Sequence, residues 1–195
     1  MEGLKFSNAE LMVYIHPSKS RNIPIGFYKN QIHYFRYSET FDGVLLAYDA
    51  AVKSKQAKIL AGLNPYFGVR VKAQLLLFDP KPNSLVEGKI VKLSPESIHV
   101  VVLGFSAAVI TDFDIREEFK YKMRDGEGCF VSRSHKGHKL KIGTTLRLQV
   151  QSFDEEVMHI AGSLLPANTG CVKWLEKNSE KDLPMDRDLK RRKIA

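Results

Sequence analysis

Cys129, His135 and His138 stand close together in a glycine-rich basic stretch, "GCFVSRSHKGHKLK", and are the first place to look for chemistry. They offer three possible metal ligands. A structural zinc site needs four, with paired spacings, and no second pair follows. As a nucleophile Cys129 would need a base, and His135 is near in sequence, but no orienting acid or oxyanion motif accompanies it. The patterns GxSxG and HExxH and the phosphate-binding P-loop are all absent. The carboxylates of "REEF" and "DEEV" read as turns and helix starts. No catalytic residue, metal or cofactor is therefore expected, and the chain reads as a non-enzymatic protein.

The chemistry left is that of cations and aromatic rings. Lys120, Lys122, Arg124, Arg133, Lys136, His138, Lys139 and Lys141 crowd one segment. Glu117, Glu118, Asp125 and Glu127 offset its start, but no acid interrupts the run from Arg133 to Lys141. Cations on a loop suit phosphate contact, because each neutralised phosphate releases a counterion. The alternative is a solvated loop kept soluble by its charge. Phe105 and Phe113 flank an apolar run. Either they stack on nucleic-acid bases or they fill a core, as most strand aromatics do. Side chains alternate along a strand with period two, so a regular strand puts both on one face. They should stand or fall together, and core filling is the stronger expectation.

These residues need a scaffold. The chain has 195 residues, a net charge of +8 and a pI near 9.4. A basic surface attracts nucleic acid, acidic lipid or an acidic protein face. Two cysteines cannot build a disulfide framework, which fits a reducing compartment. The N-terminal residues lack the basic-then-apolar pattern of a secretory signal, and no apolar run approaches the roughly 20 residues of a membrane span. A soluble, intracellular protein with no membrane partner is expected.

Along the chain, "NAELMVYIH" (8–16) reads as a strand stopped by Pro17. "IGFYKNQIHYFRYSETFDG" (25–43) has apolar residues at three- and four-residue spacings, which predicts an amphipathic helix ending before Asp42-Gly43. "GVLLAYD" predicts a strand, and "AKILAGLNPYFGVRVKAQLLLFDP" two more, divided at Asn64-Pro65. Within "RVKAQLLLF" the charges sit early, as in a strand running from solvent into a core. "DPKPNS" (79–84) marks a boundary, since its prolines fit neither a central strand nor a helix interior. Beyond it, "LVEGKIVKL", "SIHVVVLG", "FSAAVITDFD", "KIGTTLRLQVQSF" and "VMHIAGSL" predict five short strands. That is the complement of a small Greek-key barrel of the OB type. The segment between strands three and four, residues 116–141, is too long for a hairpin loop and reads as a functional or disordered insertion that begins as a short helix. After Pro166 the chain is polar. "CVKWLEK" suggests a single helical turn. Lys190-Arg191-Arg192-Lys193 reads as a nuclear-import patch or as a merely soluble tail.

The "LLAY" strand, the "PY" before the apolar strand, "LLLFDPKPNSLVEGKIV" across the boundary, "GFSAAVI" and "HKLKIGTTLRLQVQSFD" come in an order and spacing that resemble the larger stalk subunit of DNA-directed RNA polymerases. This is the family of the seventh subunit of RNA polymerase II and of its archaeal counterpart, and the likeness is greatest to the RNA polymerase I version. It covers roughly residues 8 to 165, the span of both predicted domains. The resemblance implies an α+β chain in three parts. Residues 1–80 would be an N-terminal tip domain, an antiparallel sheet with a packed helix, docking on the polymerase core. Residues 84–165 would be the OB domain with its basic insertion, and 166–195 a charged tail. It further implies RNA polymerase I core subunits, a smaller stalk subunit, an initiation factor and single-stranded RNA as partners, a role in rRNA gene transcription, and a nuclear, specifically nucleolar, location. The competing readings are the corresponding RNA polymerase III subunit and a free-standing OB-fold RNA-binding adaptor, for example in RNA decay.

Overall fold

A computed structural model of the chain describes residues 2–18, 37–52, 57–62, 65–124, 126–135 and 137–179. They fall into two compact units, one of residues 3–80 and one of residues 81–195 together with the first two residues.

The first unit is an antiparallel sheet. Its strands are β1 (Leu4–Ile15), β2 (Tyr37–Ser38), β3 (Gly43–Val52), β4 (Lys58–Ile59) and β5 (Phe67–Phe78), in the order β1-β5-β3-β2, with β4 also on β5. β1 and β5 pair along their whole length, from Leu4 opposite Phe78 to Ile15 opposite Phe67. Val69, Val71, Ala73, Leu75 and Leu77 are buried while Arg70, Lys72 and Gln74 between them are exposed. The outer face passes from exposed Arg70, Lys72 and Gln74 through half-buried Leu76 to fully buried Phe78, so the strand runs from solvent into a core, as its early charges suggested. Val13, Ile15, Val69 and Val71 form one apolar cluster and Leu45, Ala73, Leu75 and Leu77 a second. Most of the helix expected over 25–43 lies outside the described residues. Its final part is not helical: Tyr37–Ser38 pairs with β3, and a turn follows in which Asp42 adopts φ 51°.

The second unit opens with β6 (Leu85–Leu93), β7 (Ser97–Val102) and β8 (Ser106–Thr111). After an insertion come β12 (Thr145–Asp154) and β13 (His159–Ser163). Neighbours run β13-β8-β7-β6-β12, and β12 pairs back onto β13, so the sheet closes into a five-stranded ring. All pairings are antiparallel except β8 with β13. Greek-key connections, one parallel contact and closure are the arrangement of an OB-type barrel. The interior is aliphatic: Val86, Ile90, Ile98, Val100, Val102, Ile110, Leu146, Leu148, Val150 and Ile160 are all buried. Gly88 on β6 packs tightly against β7. A Cβ there would lie 2.6 Å from Val100 Cγ1 and 2.7 Å from the Val101 carbonyl oxygen, so no side chain fits.

Two turns explain how the strands connect. The β6–β7 turn has no glycine. Instead Ser94 closes it by side chain, its Oγ accepting from Ser97 N at 3.1 Å, while Ser94 N donates to Ser97 O at 2.9 Å. The β7–β8 hairpin turns on Leu103-Gly104, with positive φ of 52° and 83°, and Phe105 is the third residue between the paired Val102 and Ser106.

The insertion holds a sheet rather than an irregular loop. β9 (Phe119–Arg124), β10 (Glu127–Ser132) and β11 (Lys139–Leu140) form an antiparallel layer in the order β11-β10-β9. It begins not with a helix but with a turn at residues 117–118 that leads into β9, and a single 3-10 turn, Asp112–Asp114, precedes it. The predicted tail is also partly folded. β14 (Gly170–Cys171) adds to β12, and α1 (Val172–Ser179) follows it, longer than the single turn expected. Residues 180–195, including Lys190, Arg191, Arg192 and Lys193, lie outside the described residues.

Candidate nucleic-acid interface

The register of the insertion sheet decides where its cations go. Val131 on the central strand lies opposite Lys120 on one side and opposite Lys139 on the other. Residues directly opposite share a face, so Lys120 and Lys139 flank Val131, and Lys122 follows two residues along β9 on the same face. All three lysines are exposed, as are Arg133 and Lys141 beyond the strand ends. None of these five takes part in an ion pair among the described residues. Lys136 lies outside the described residues, and Arg124 ends β9. The sequence named these cations as a loop; folding turns three of them into one face of a sheet.

His138 does not belong to that surface. Its side chain is fully buried at 0% exposure. Its ring stacks on Trp174 of α1 at 4.0 Å and 4° between planes, and meets Phe119 edge-on at 4.9 Å. Its Nε2 accepts a hydrogen bond from Cys171 N at 3.0 Å, which places the neutral ring's proton on Nδ1. Nδ1 has no partner in this enclosure. Burial first, and then the charge of Arg116, hold His138 well below the usual imidazole range, at about 4. A residue grouped by sequence with the phosphate-seeking cations is in fact a neutral core group.

Around it runs a polar clamp that sequence reasoning did not find. Arg116 donates from Nε to Glu118 Oε1 at 2.9 Å, from Nη1 to Thr169 Oγ1 at 3.2 Å and to the Pro166 carbonyl, and from Nη2 to the Thr169 carbonyl at 3.0 Å. Glu118 Oε2 accepts from Ser132 Oγ at 3.1 Å and lies 3.1 Å from His135 Nδ1. His135 also packs its ring edge against Trp174 at 5.0 Å. Burial would raise the Glu118 carboxyl, but bonds from His135, Ser132 and Arg116 outweigh it and hold the group below its ordinary value. Arg116, Glu118 and Thr169 therefore fasten the start of the insertion to the segment that leads into β14 and α1. The only hint in the sequence was a lone tryptophan in an otherwise polar tail.

Phe105 and Phe113 do not share a strand face. Phe105 closes the β7–β8 hairpin, its N donating to Val102 O at 3.2 Å, and is half-buried. Phe113 sits in the 3-10 turn after β8 and is 87% exposed. Core filling is wrong for Phe113, because β8 ends at Thr111 and period two stops there. The possible metal ligands do not gather either: Cys129 is buried on β10, His138 is in the aromatic stack, and His135 serves the clamp.

Closure, the parallel β8–β13 contact and the cationic insertion define an OB-barrel protein carrying a basic added sheet. No protein-family model matches the chain. The Schizosaccharomyces pombe DNA-directed RNA polymerase I subunit rpa43 is 31% identical to it over 117 residues, which cover 59% of this chain and 67% of that protein. A Dictyostelium discoideum protein named "Probable DNA-directed RNA polymerase I subunit RPA43" is 25% identical over 149 residues, covering 74% of this chain and 41% of its own length. The chain thus spans less than half of that relative. A solved structure described as an exosome complex RNA-binding protein has a TM-score of 0.32 and 15% identity over 49% of each chain, too slight a likeness to bear on fold or function. The chain belongs to the family of the RNA polymerase I subunit RPA43, the larger subunit of that polymerase's stalk.

Proposed function

We propose that this chain serves as a non-catalytic stalk subunit of RNA polymerase I in the transcription of rRNA genes. In this reading residues 1–80 dock on the polymerase core and a smaller stalk subunit. The barrel, over residues 84–165, works near emerging single-stranded RNA and an initiation factor, and the protein resides in the nucleus, specifically the nucleolus. Family membership is the observation that carries it. Affinity purification of the full chain tests it. Large polymerase I subunits should co-purify in equal stoichiometry. Recovery of RNA polymerase III subunits or of nuclease-complex components in their place would sink the proposal.

RNA contact is proposed for the lysine face of the insertion sheet. Three exposed lysines on one layer, Lys120, Lys122 and Lys139, match the demand of a phosphate chain for spaced point charges. For a single strand each phosphate contact contributes about 0.7 to the slope of log affinity against log salt. Changing all three lysines to glutamine should therefore flatten that slope by about 2. Fluorescence anisotropy with a labelled single-stranded RNA across a salt series measures it. An unchanged slope would place any RNA contact elsewhere.

A further inference from the structure

Phe113 is more exposed than any other large apolar residue among the described residues. Its backbone, however, is tightly held. Phe113 N donates to Asp112 Oδ1 at 3.0 Å, and Ile115 N donates to Asp112 O at 3.1 Å. Asp112 N donates to Glu96 O at 2.9 Å, which ties the turn to the β6–β7 connection. Asp114 accepts from Thr111 Oγ1 at 2.9 Å and from the Gln151 side chain, while its carbonyl accepts from Leu164 N at 2.8 Å. A side chain that leaves water should cost little further entropy when its mount is already fixed.

The surroundings say what kind of surface would cover it. Asp112 and Asp114 flank Phe113 in the turn, the first exposed and the second half-buried. Exposed Glu96 is joined to the turn through the Asp112 N bond to its carbonyl, and exposed Glu117 follows four residues along the chain. Arg116 is the sole lysine or arginine between residues 94 and 118, and its guanidinium is turned inward onto Glu118, Pro166 and Thr169. Leu165, one residue beyond the Leu164 bond to Asp114, is a second exposed apolar side chain, at 53%. A nucleic-acid strand brought to this ring would set its phosphates against carboxylates. A lysine- or arginine-rimmed protein surface would meet complementary charge, with the ring as a central aromatic anchor. We propose that Phe113 anchors a protein-docking surface on the barrel, entering an apolar pocket whose rim on the partner is basic.

The proposal stands on this patch alone and does not require that the chain join a polymerase. To test it, the photo-crosslinking analogue p-benzoylphenylalanine replaces Phe113 in the full chain expressed in living cells, and the cross-linked species are mapped by peptide. A protein cross-link to a segment carrying lysine or arginine around apolar residues is expected. Its yield should drop about fivefold with Glu96→Lys and Glu117→Lys together. Lysine-to-glutamate changes at the mapped partner site should restore it. The proposal is overturned by a cross-link to RNA, by one to an acidic segment, by a yield indifferent to the two reversals, or by no cross-link at all.

Discussion

Acidification from pH 7 to pH 4 should remove about 3 kcal/mol of stability from the second unit through His138 alone. The folded ring titrates at about 4, against an ordinary value of 6.5. Between these two values the unfolded chain takes up a proton that the folded chain refuses. Stability is therefore fully present above pH 6.5 and is lost as pH falls toward 4. The physical reason is visible in the packing. Protonation would place a charge in a fully enclosed ring, beside Arg116, and would abolish the acceptor for Cys171 N. Glu118 acts in the same direction at lower pH, because its depressed pKa contributes stability that is lost as pH falls through its folded value. Urea unfolding at a series of pH values measures the effect, and Trp174, the sole tryptophan, reports it directly from the stack. His138→Gln keeps an acceptor but cannot titrate. It should lower stability at pH 7 and show a much shallower loss between pH 6.5 and 4.5. If the two proteins lose stability in parallel over that range, His138 is not the group responsible.

Gly170→Ala should cost about 2–5 kcal/mol, a large effect for one methyl group. Two causes combine. Gly170 adopts φ +129°, where an L side chain is strained by about 1–2 kcal/mol. The added Cβ would also enter the edge of the His138 ring, 2.5 Å from Cε1. That ring cannot retreat, since Trp174 stacks on it and Cys171 N binds its Nε2. Overpacking of such a site adds about 1–3 kcal/mol. Gly104→Ala is the control. Gly104 also has positive φ, at 83°, but nothing lies within 4 Å of its would-be Cβ, so only strain should appear. Denaturant midpoints of the two variants separate strain from collision. Equal losses would show that the His138 contact contributes nothing.

Both large effects fall at one place, the seam between the insertion and the C-terminal segment, and that seam is where local pattern says least. The barrel strands were legible because each carries its own signal. "SIHVVV" and "TLRLQV" alternate or run apolar between turns, and the proline-rich "DPKPNS" falls where the contacts divide the chain. The insertion sheet was not legible. Its alternation is Phe119, Tyr121 and Met123 against Gly128, Phe130 and Ser132, and lysines and glycines obscure it. One glycine that looked like loop filler, Gly128, has a packing role, since a Cβ there would land on the Tyr121 ring.

Local pattern was enough for the strand complement of the barrel, the boundary near Pro80 and the abundance of cations in the insertion, because period, punctuation and charge are properties of short stretches of chain. Where those cations lie is decided in three dimensions. Pairing across β9, β10 and β11 sets Lys120, Lys122 and Lys139 on one face. A tryptophan 36 residues further along encloses His138 and makes it a neutral core group. The end of β8 at Thr111 leaves Phe113 in water among carboxylates. Burial and charge environment depend on which distant segments meet, and no local pattern in the chain encodes that meeting.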